Sequence, residues 1–442
     1  MDEHPLQKIV KLQKAGVAEG IYSVCSANEI VILAAMERAL KDNDFILIEA
    51  TANQVNQYGG YTGMKPDDFK NFVYTLAQIT CFPIEKIILG GDHLGPLVWK
   101  SQNADQAMEQ AKELIHQFVY SGFTKIHIDT SMHLGDDDHD KCLDKRIVAE
   151  RGAFLAKAAE KAYDELHKIN PDTFRPVYVV GSEVPVPGGS QDEDDRIEIT
   201  GVADLKETLE IYKKAFYDKG LASAWKNVIA VVVQPGVEFG EDSVHEYNRK
   251  AAKQLCDSLK EYPNLVFEGH STDYQTTKAL TEMVEDGIVI LKVGPALTFA
   301  LREGLFALSS IEEELLNDQK NILLSRFKEV LEDEMLSHPE NWQMYYHGSN
   351  NKLKLARKYS LSDRSRYYLS NESVIKSIYR LISNLRTVAI PLTMISQYMP
   401  IQYNKIMAGA LENDPVSLVK DRVVNCIEQY LAATNSARKM KG

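Results

Sequence analysis

Short runs rich in Val, Ile and Leu recur from Gly20 to Val293, and stretches of helical periodicity fill the gaps between them. The runs read as strands at Ile21–Cys25, Phe45–Ala50, Lys86–Gly91, Thr124–Asp129, Val177–Glu183, Val228–Gln234, Leu265–His270 and Gly287–Val293. Between them, Asn28–Leu40 carries apolar residues at Ile32, Leu33, Met36 and Leu40, and Ala104–Tyr120 has the same period. Near-continuous apolar strands separated by helices imply a parallel sheet covered on both faces. Eight such units within about 275 residues favour a closed (β/α)8 barrel, a TIM barrel, over an open doubly wound sheet. Beyond Gly294 the pattern is helical only, with helices expected at Ala296–Leu316, Gln319–Glu334 and Glu372–Leu385, breaks at Pro391 and Pro400, and a last helix near Pro415–Ala432. Residues 1–294 are therefore expected to form the α/β barrel, and 295–442 a C-terminal helical region packed against it.

Charge narrows the choice of partner. The net charge of −13 argues against nucleic acid or an anionic membrane surface as the main partner, while a locally positive site still admits an anionic substrate. No window approaches the ~18 consecutive apolar residues of a membrane span. Met1–Lys14 is polar and lacks the apolar core of a signal peptide. The cysteines, Cys25, Cys81, Cys142, Cys256 and Cys426, are odd in number and scattered, which fits reduced thiols and a cytoplasmic protein.

Ligands of such barrels bind beyond the carboxyl ends of the strands, so the strand ends are where chemistry is expected. The third run ends in Gly90-Gly91-Asp92-His93, a pair that alone is weak evidence. Alternation of side chains places Lys125, His127 and Asp129 on one face of strand four, and Glu268 and His270 on one face of strand seven. Glu49 ends strand two, and Lys292 lies near the end of strand eight. Such charges serve either an internal ion-pair network or a site. His93, Glu183 and His270, with Asp92 beside them, are candidate ligands for a divalent metal such as zinc. The cluster His133–Asp140 fits neither EF-hand nor zinc spacing and reads better as a solvated acidic loop. Gly59–Gly63, Gly188-Gly189 and Gly294 either admit an anion to backbone amides or simply turn the chain. The turn Ser271-Thr272 and Gly294 carry more weight, because barrels often hold phosphate after strands seven and eight. No P-loop and no dinucleotide fingerprint occurs, which disfavours a P-loop kinase or a Rossmann dehydrogenase. Lys125 and Lys292, both inward, leave a Schiff-base lysine as a competing reading.

Long motifs carry a resemblance. Ile48–Gln57, Gly59–Met64, Gly90–Pro96, Ser182–Gly189, Val233–Phe239, His270–Gln275, Leu291–Arg302, Tyr359–Arg364 and Ile395–Tyr398 resemble the GatZ/KbaZ family, the Z-type subunits of D-tagatose-1,6-bisphosphate aldolase. The resemblance implies a barrel related to class II aldolases. It makes Asp92 a proton shuttle, His93 and His270 metal ligands, Asp129 a catalytic aspartate, and Glu183 a catalytic residue and a metal ligand. It places substrate or phosphate near Gln234, Ser271, Thr272, Gly294, Gly188 and Gly189. The sixth-strand histidine of the zinc aldolases is missing, with Gln234 in its place, so the metal site must be rebuilt or lost. Two functions follow. One is C4 epimerisation of a ketohexose phosphate, fructose 6-phosphate or tagatose 6-phosphate, by retro-aldol and aldol steps. The alternative is a non-catalytic subunit that stabilises a Y-type class II aldolase partner. Self-association into a homo-oligomer is open.

Overall fold

The computed structural model describes residues 3–181 and 197–435. Its barrel strands are β1 (Ile21–Val24), β2 (Ile46–Thr51), β3 (Ile87–Leu94), β4 (Lys125–Ile128), β5 (Val177–Val180), β6 (Val228–Val233), β7 (Val266–Gly269) and β8 (Ile288–Val293). They are all parallel and close in the order β1-β8-β7-β6-β5-β4-β3-β2, so the expected (β/α)8 barrel is the fold. Each expected strand appears, shifted by a residue or two, except at the ends of two. β3 continues through Asp92 and His93 to Leu94. β5 stops at Val180, and Glu183, Gly188 and Gly189 lie outside the described residues.

The lumen is divided along its axis. At its amino-terminal end Leu47, Ile88, Val177, Val179 and Val266 form an apolar cluster, into which the first helix, Pro5–Lys14, inserts Leu6 and Val10. That helix is held at its start by His4, whose ring accepts from Leu6 N and bonds Thr124 Oγ1 at 3.1 Å. Farther along the same inward rows the residues are charged: Glu49, Lys125, Glu268 and Lys292. Lys125 Nζ sits 2.7 Å from Glu49 Oε2 and 2.7 Å from Glu268 Oε2, with all three side chains fully buried. Lys292 Nζ joins Glu49 Oε2 at 2.8 Å and Asp92 Oδ1 at 2.8 Å. Gly90 makes room for this: a Cβ there would lie 2.6 Å from Glu49 Cγ. The ion-pair reading of these charges is thus realised as a structural rung in the lumen, which reaches Asp92 through Lys292.

The C-terminal helices begin at Pro295–Leu316 and end with Pro415–Thr434. The expected helix Gln319–Glu334 is shorter, Phe327–Ser337. The preceding loop is held instead by side chains: Glu312 accepts from Ser325 N at 3.0 Å, and Asn384 donates to Leu323 O at 3.0 Å. Arg326 then enters the helix with a left-handed φ of 51°. Pro391 caps the helix Leu392–Tyr398, and Pro400 opens Pro400–Met407, so both prolines mark starts rather than breaks. The last helix packs against Glu29–Asp42, Thr277–Glu285 and β1. It therefore fills the place in the outer ring between the helices that follow β7 and β1. Tyr430 donates to Thr272 O at 2.8 Å, and Thr434 O accepts from Gly20 N at 3.0 Å. No helix among the described residues is long and apolar enough to cross a membrane.

Breaking a buried ion pair by removing one partner costs about 3–5 kcal/mol, because the charge left behind is uncompensated. Lys125→Met leaves Glu49 with Lys292 and Glu268 with His270 but removes the ammonium they share, so equilibrium denaturation should show a loss of about that order; a variant as stable as the parent would show that the rung carries no stability.

Candidate active site

Asp92 and His93 are neighbours, so a regular strand would send them to opposite faces. Two irregularities bring both to the cavity. His93 has a left-handed φ of 47°, and the register between β3 and β4 slips between Gly91 and Leu94. A non-glycine residue held there is costly, and such strain gathers at functional sites. The turn is tight enough that a Cβ on Gly95 would fall 1.7 Å from Asp129 O, so only glycine lets the β3 and β4 loops touch. Ser271, after β7, repeats the device with a φ of 53°.

Four donor atoms meet here. One nitrogen each of His93, His127 and His270 and one oxygen of Asp92 lie within 4.8 Å of one another. His93 Nε2 is 3.0 Å from His270 Nδ1, and His127 Nδ1 is 3.3 Å from Asp92 Oδ1. The far side of each ring has an acceptor that assigns its tautomer. His270 Nε2–H donates to Glu268 Oε1 at 2.8 Å, His93 Nδ1–H to Asp129 Oδ2 at 2.9 Å, and His127 Nε2–H to Gly181 O at 3.2 Å. The free ring nitrogens of His93 and His270 therefore face the same small space beside a carboxylate, while His127 Nδ1, the third nitrogen of the cluster, also accepts from His93 N at 3.2 Å. Without a cation between them, His93 Nε2 and His270 Nδ1 would oppose lone pair to lone pair. This donor set fits a divalent metal.

The imidazoles differ in their electrostatics: burial opposes charge on His93, but Asp92 and Asp129 outweigh it and raise its pKa above the ordinary value. Burial pushes the His270 pKa down to about 3, leaving that ring neutral. Burial opposes ionisation of Asp92, yet Lys292, His93 and His127 outweigh it and hold the carboxyl well below the usual range. Asp129 is likewise buried, and its bond with His93 draws it down to about 2. Lys292, although buried, is raised well above the ordinary lysine value by Asp92, Glu49 and Glu268. A Schiff-base lysine needs the opposite shift, and Lys125 is clamped by two carboxylates, so neither lysine suits imine chemistry.

The other predicted residues fall in different places. Ser271 and Gly294 line the cavity. Gly294 N already donates to Asp273 Oδ1 at 3.0 Å, as does Ala296 N at 2.8 Å. Thr272 is fully buried, and its hydroxyl donates to Lys292 O at 2.6 Å. Gln234 Oε1 accepts from Gly236 N at 2.9 Å and Val237 N at 3.0 Å, which turns the chain after β6. In the acidic loop, Asp137 pairs with Arg151 at 2.7 Å and Asp136 accepts from Ala104 N at 2.6 Å, as a structural loop would. Sequence reasoning left His127 out of the ligand set, although its inward parity beside Lys125 was the available signal. It also missed Arg366 and Tyr367, which line the cavity with Tyr61 of the Gly59–Gly63 loop. No local pattern joins residues so far apart. His127→Ala should lower Zn2+ affinity by at least about 10-fold, since even residues that only orient ligands are worth that much. Competition with a chromophoric chelator measures this, and unchanged affinity would remove His127 from the ligand set.

Residues 6–435 match the family described as D-tagatose-1,6-bisphosphate aldolase subunit GatZ/KbaZ-like. The D-tagatose-1,6-bisphosphate aldolase subunit GatZ of Salmonella agona (strain SL483) is 45% identical over 425 residues, 96% of this chain and 98% of that protein. The protein of the same name from Salmonella heidelberg (strain SL476) matches with the same identity and coverage. Among solved structures, that of a probable tagatose 6 phosphate kinase from Sinorhizobium meliloti 1021 aligns with a TM-score of 0.85 at 43% identity, covering 94% of this chain and 100% of that chain. With its family match running almost from end to end of a closed parallel barrel, the chain belongs to the GatZ/KbaZ-like family of D-tagatose-1,6-bisphosphate aldolase subunits.

Proposed function

We propose that this chain is a metal-dependent enzyme of tagatose metabolism that interconverts fructose 6-phosphate and tagatose 6-phosphate at C4. The observation that carries this reading is the convergence of three imidazole nitrogens and the Asp92 carboxylate at the end of the barrel where ligands bind. The family and the names of its relatives supply the substrate class. His93, His127 and His270 would hold the ion, with zinc the best fit to a three-imidazole set. When bound, it supplies Lewis-acid polarisation of the substrate's C2 carbonyl. Glu183, outside the described residues, stays a candidate further ligand or acid–base group.

The protein's own groups then have distinct tasks. Asp92, ionised beside Lys292, takes the proton of the C4 hydroxyl as the C3–C4 bond opens. The bonding pair moves to C3 and is delocalised into the C2 carbonyl, leaving C4 as an aldehyde. Rotation of that aldehyde and re-addition to its other face inverts C4, and Asp92 returns the proton. Asp129 holds His93 in its tautomer rather than meeting substrate. Lys292 keeps Asp92 ionised and oriented.

A second reading is favoured by the word subunit in the names of the Salmonella relatives. In it the chain supports a class II aldolase subunit of the Y type and does no chemistry. Both readings place the protein in the cytoplasm, consistent with five cysteines of which none is bonded to another.

Metal analysis of the purified chain, followed by chromatography of fructose 6-phosphate incubated with it alone, separates the two. Bound metal and tagatose 6-phosphate formation are expected; neither of these, together with aldolase gain only on adding a Y-type subunit, would establish the second reading. Asp92→Asn should lower kcat by about 10²-fold or more, as loss of a general base does. A wild-type rate in that variant would remove Asp92 from the mechanism.

A further inference from the structure

The cavity above the imidazoles has a second centre of charge, and it comes from the far end of the chain. Arg366, in the short turn of helix Arg364–Tyr368, lines the same cavity as Asp92, His93 and His270. Its guanidinium is fixed on one side. Nη1 donates to Asp363 O at 3.1 Å and to Ser362 O, and Nη2 donates to the Tyr367 hydroxyl at 2.9 Å. The Tyr367 ring lies 4.4 Å beneath it, and Tyr61 meets that ring edge-on at 5.1 Å. No carboxylate pairs with Arg366 among the described residues. The nearest in sequence, Asp363, is engaged by Arg302 Nε at 2.9 Å and Thr298 Oγ1 at 2.6 Å. No protein acceptor among the described residues takes its Nε–H, which leaves that edge of the fork open on a side chain that lines the cavity. A planar, pre-aligned guanidinium with an open edge is suited to bidentate recognition of a phosphate.

The customary alternative is already taken. Barrels often bind phosphate on the amides after strands seven and eight. Here two amides after strand eight, Gly294 N and Ala296 N, are occupied by Asp273, a buried carboxyl that burial raises to about 6. Thr272 is spent on Lys292 O. A phosphate dianion at that turn would have to displace an acid from its two donors. Arg366 lines the same cavity, near enough for Asp273 to feel its charge without pairing with it.

From this juxtaposition we infer that Arg366, with Tyr61 beside it, receives the phosphate monoester of the ketohexose. The C-terminal region, rather than the β7–β8 turn, then selects phosphorylated over free sugar. The inference rests on the ketohexose-phosphate reading above, but its test does not depend on turnover. Isothermal titration of the full-length, Zn2+-supplemented chain with fructose 6-phosphate and with fructose reads the two affinities directly, and their ratio is the quantity of interest. Wild type should prefer the phosphate ester by about 10–100-fold, the worth of a charged pair of hydrogen bonds. Arg366→Gln should abolish the preference and Arg366→Lys should keep part of it, because charge survives without the fork. A wild type that binds both sugars alike, or an Arg366→Gln variant that keeps its preference, overturns the assignment. So does an equal loss of both ligands in the Lys and Gln variants accompanied by lowered melting temperatures, since that is what a purely structural arginine would produce. Failure of epimerisation with the binding ratio intact would instead strike the proposed reaction alone.

Discussion

Lys125 is the constraint on which the rest of this barrel depends. Its ammonium is fully buried between Glu49 and Glu268, and so ties β4 to β2 and β7 across the lumen. Removing three charges from water is expensive, and an apolar rung of the same volume would serve stability as well or better. What the ionic rung adds is orientation one layer higher. Glu268 reaches Lys125 with one oxygen and the His270 ring with the other. Glu49 shares Lys292 with Asp92. His270 and Asp92 are thus held by charges fixed from below, whereas His93 leans on Asp129 and His127 on Gly181 O. The tautomer of His270 and the ionisation of Asp92 follow from that lattice of partners.

Legibility from sequence tracked the range of the interaction involved. The strands were readable because a doubly covered parallel strand must be apolar throughout, and parity then placed Glu49, Lys125, Glu268 and Lys292 inside. Parity fails where the backbone leaves the strand. Asp92 and His93 share a cavity only because His93 is left-handed, and nothing in a Gly-Gly-Asp-His string announces that conformation. The helix expected over Gln319–Glu334 failed for a related reason: Glu312 and Asn384 supply long-range partners to a loop whose local pattern was helical enough. Asp273 illustrates the same limit at the site, since a carboxyl filling the donors of a phosphate turn has no local signature.

The C-terminal region shows how a long chain makes one site. Its last helix occupies the ring position beside β1, while the helix that follows β8 packs outside it. The intervening segments are thereby carried over the carboxyl ends of the strands. Two buried bonds fix that path. Arg302 pairs with Asp363, and Tyr274 donates to Leu361 O at 2.5 Å. Asp363 itself has a left-handed φ of 42°, which turns the chain so that Arg366 and Tyr367 face the cavity. Positioning of the guanidinium is therefore as tightly specified as that of the imidazoles, although it comes from residues more than 250 positions away from His93 in the chain.

That arrangement bears on which outcome of carbon–carbon cleavage the site favours. Retro-aldol opening at C3–C4 of a ketohexose 6-phosphate leaves the phosphate on the aldehyde fragment, not on the fragment held through C2. An aldolase must let both fragments go. An epimerase must keep the aldehyde while its carbonyl turns over, and it can do so only if something other than the cleaved bond retains it. A guanidinium gripping the phosphate does this while leaving the C4–C5 and C5–C6 bonds free to rotate. Tyr61 and Tyr367, packed edge-on, line the cavity beside that guanidinium. Under the proposed reaction, separate anchors for the two fragments, the imidazole end of the cavity and Arg366, would meet what inversion at C4 requires of a protein that breaks a bond in order to remake it.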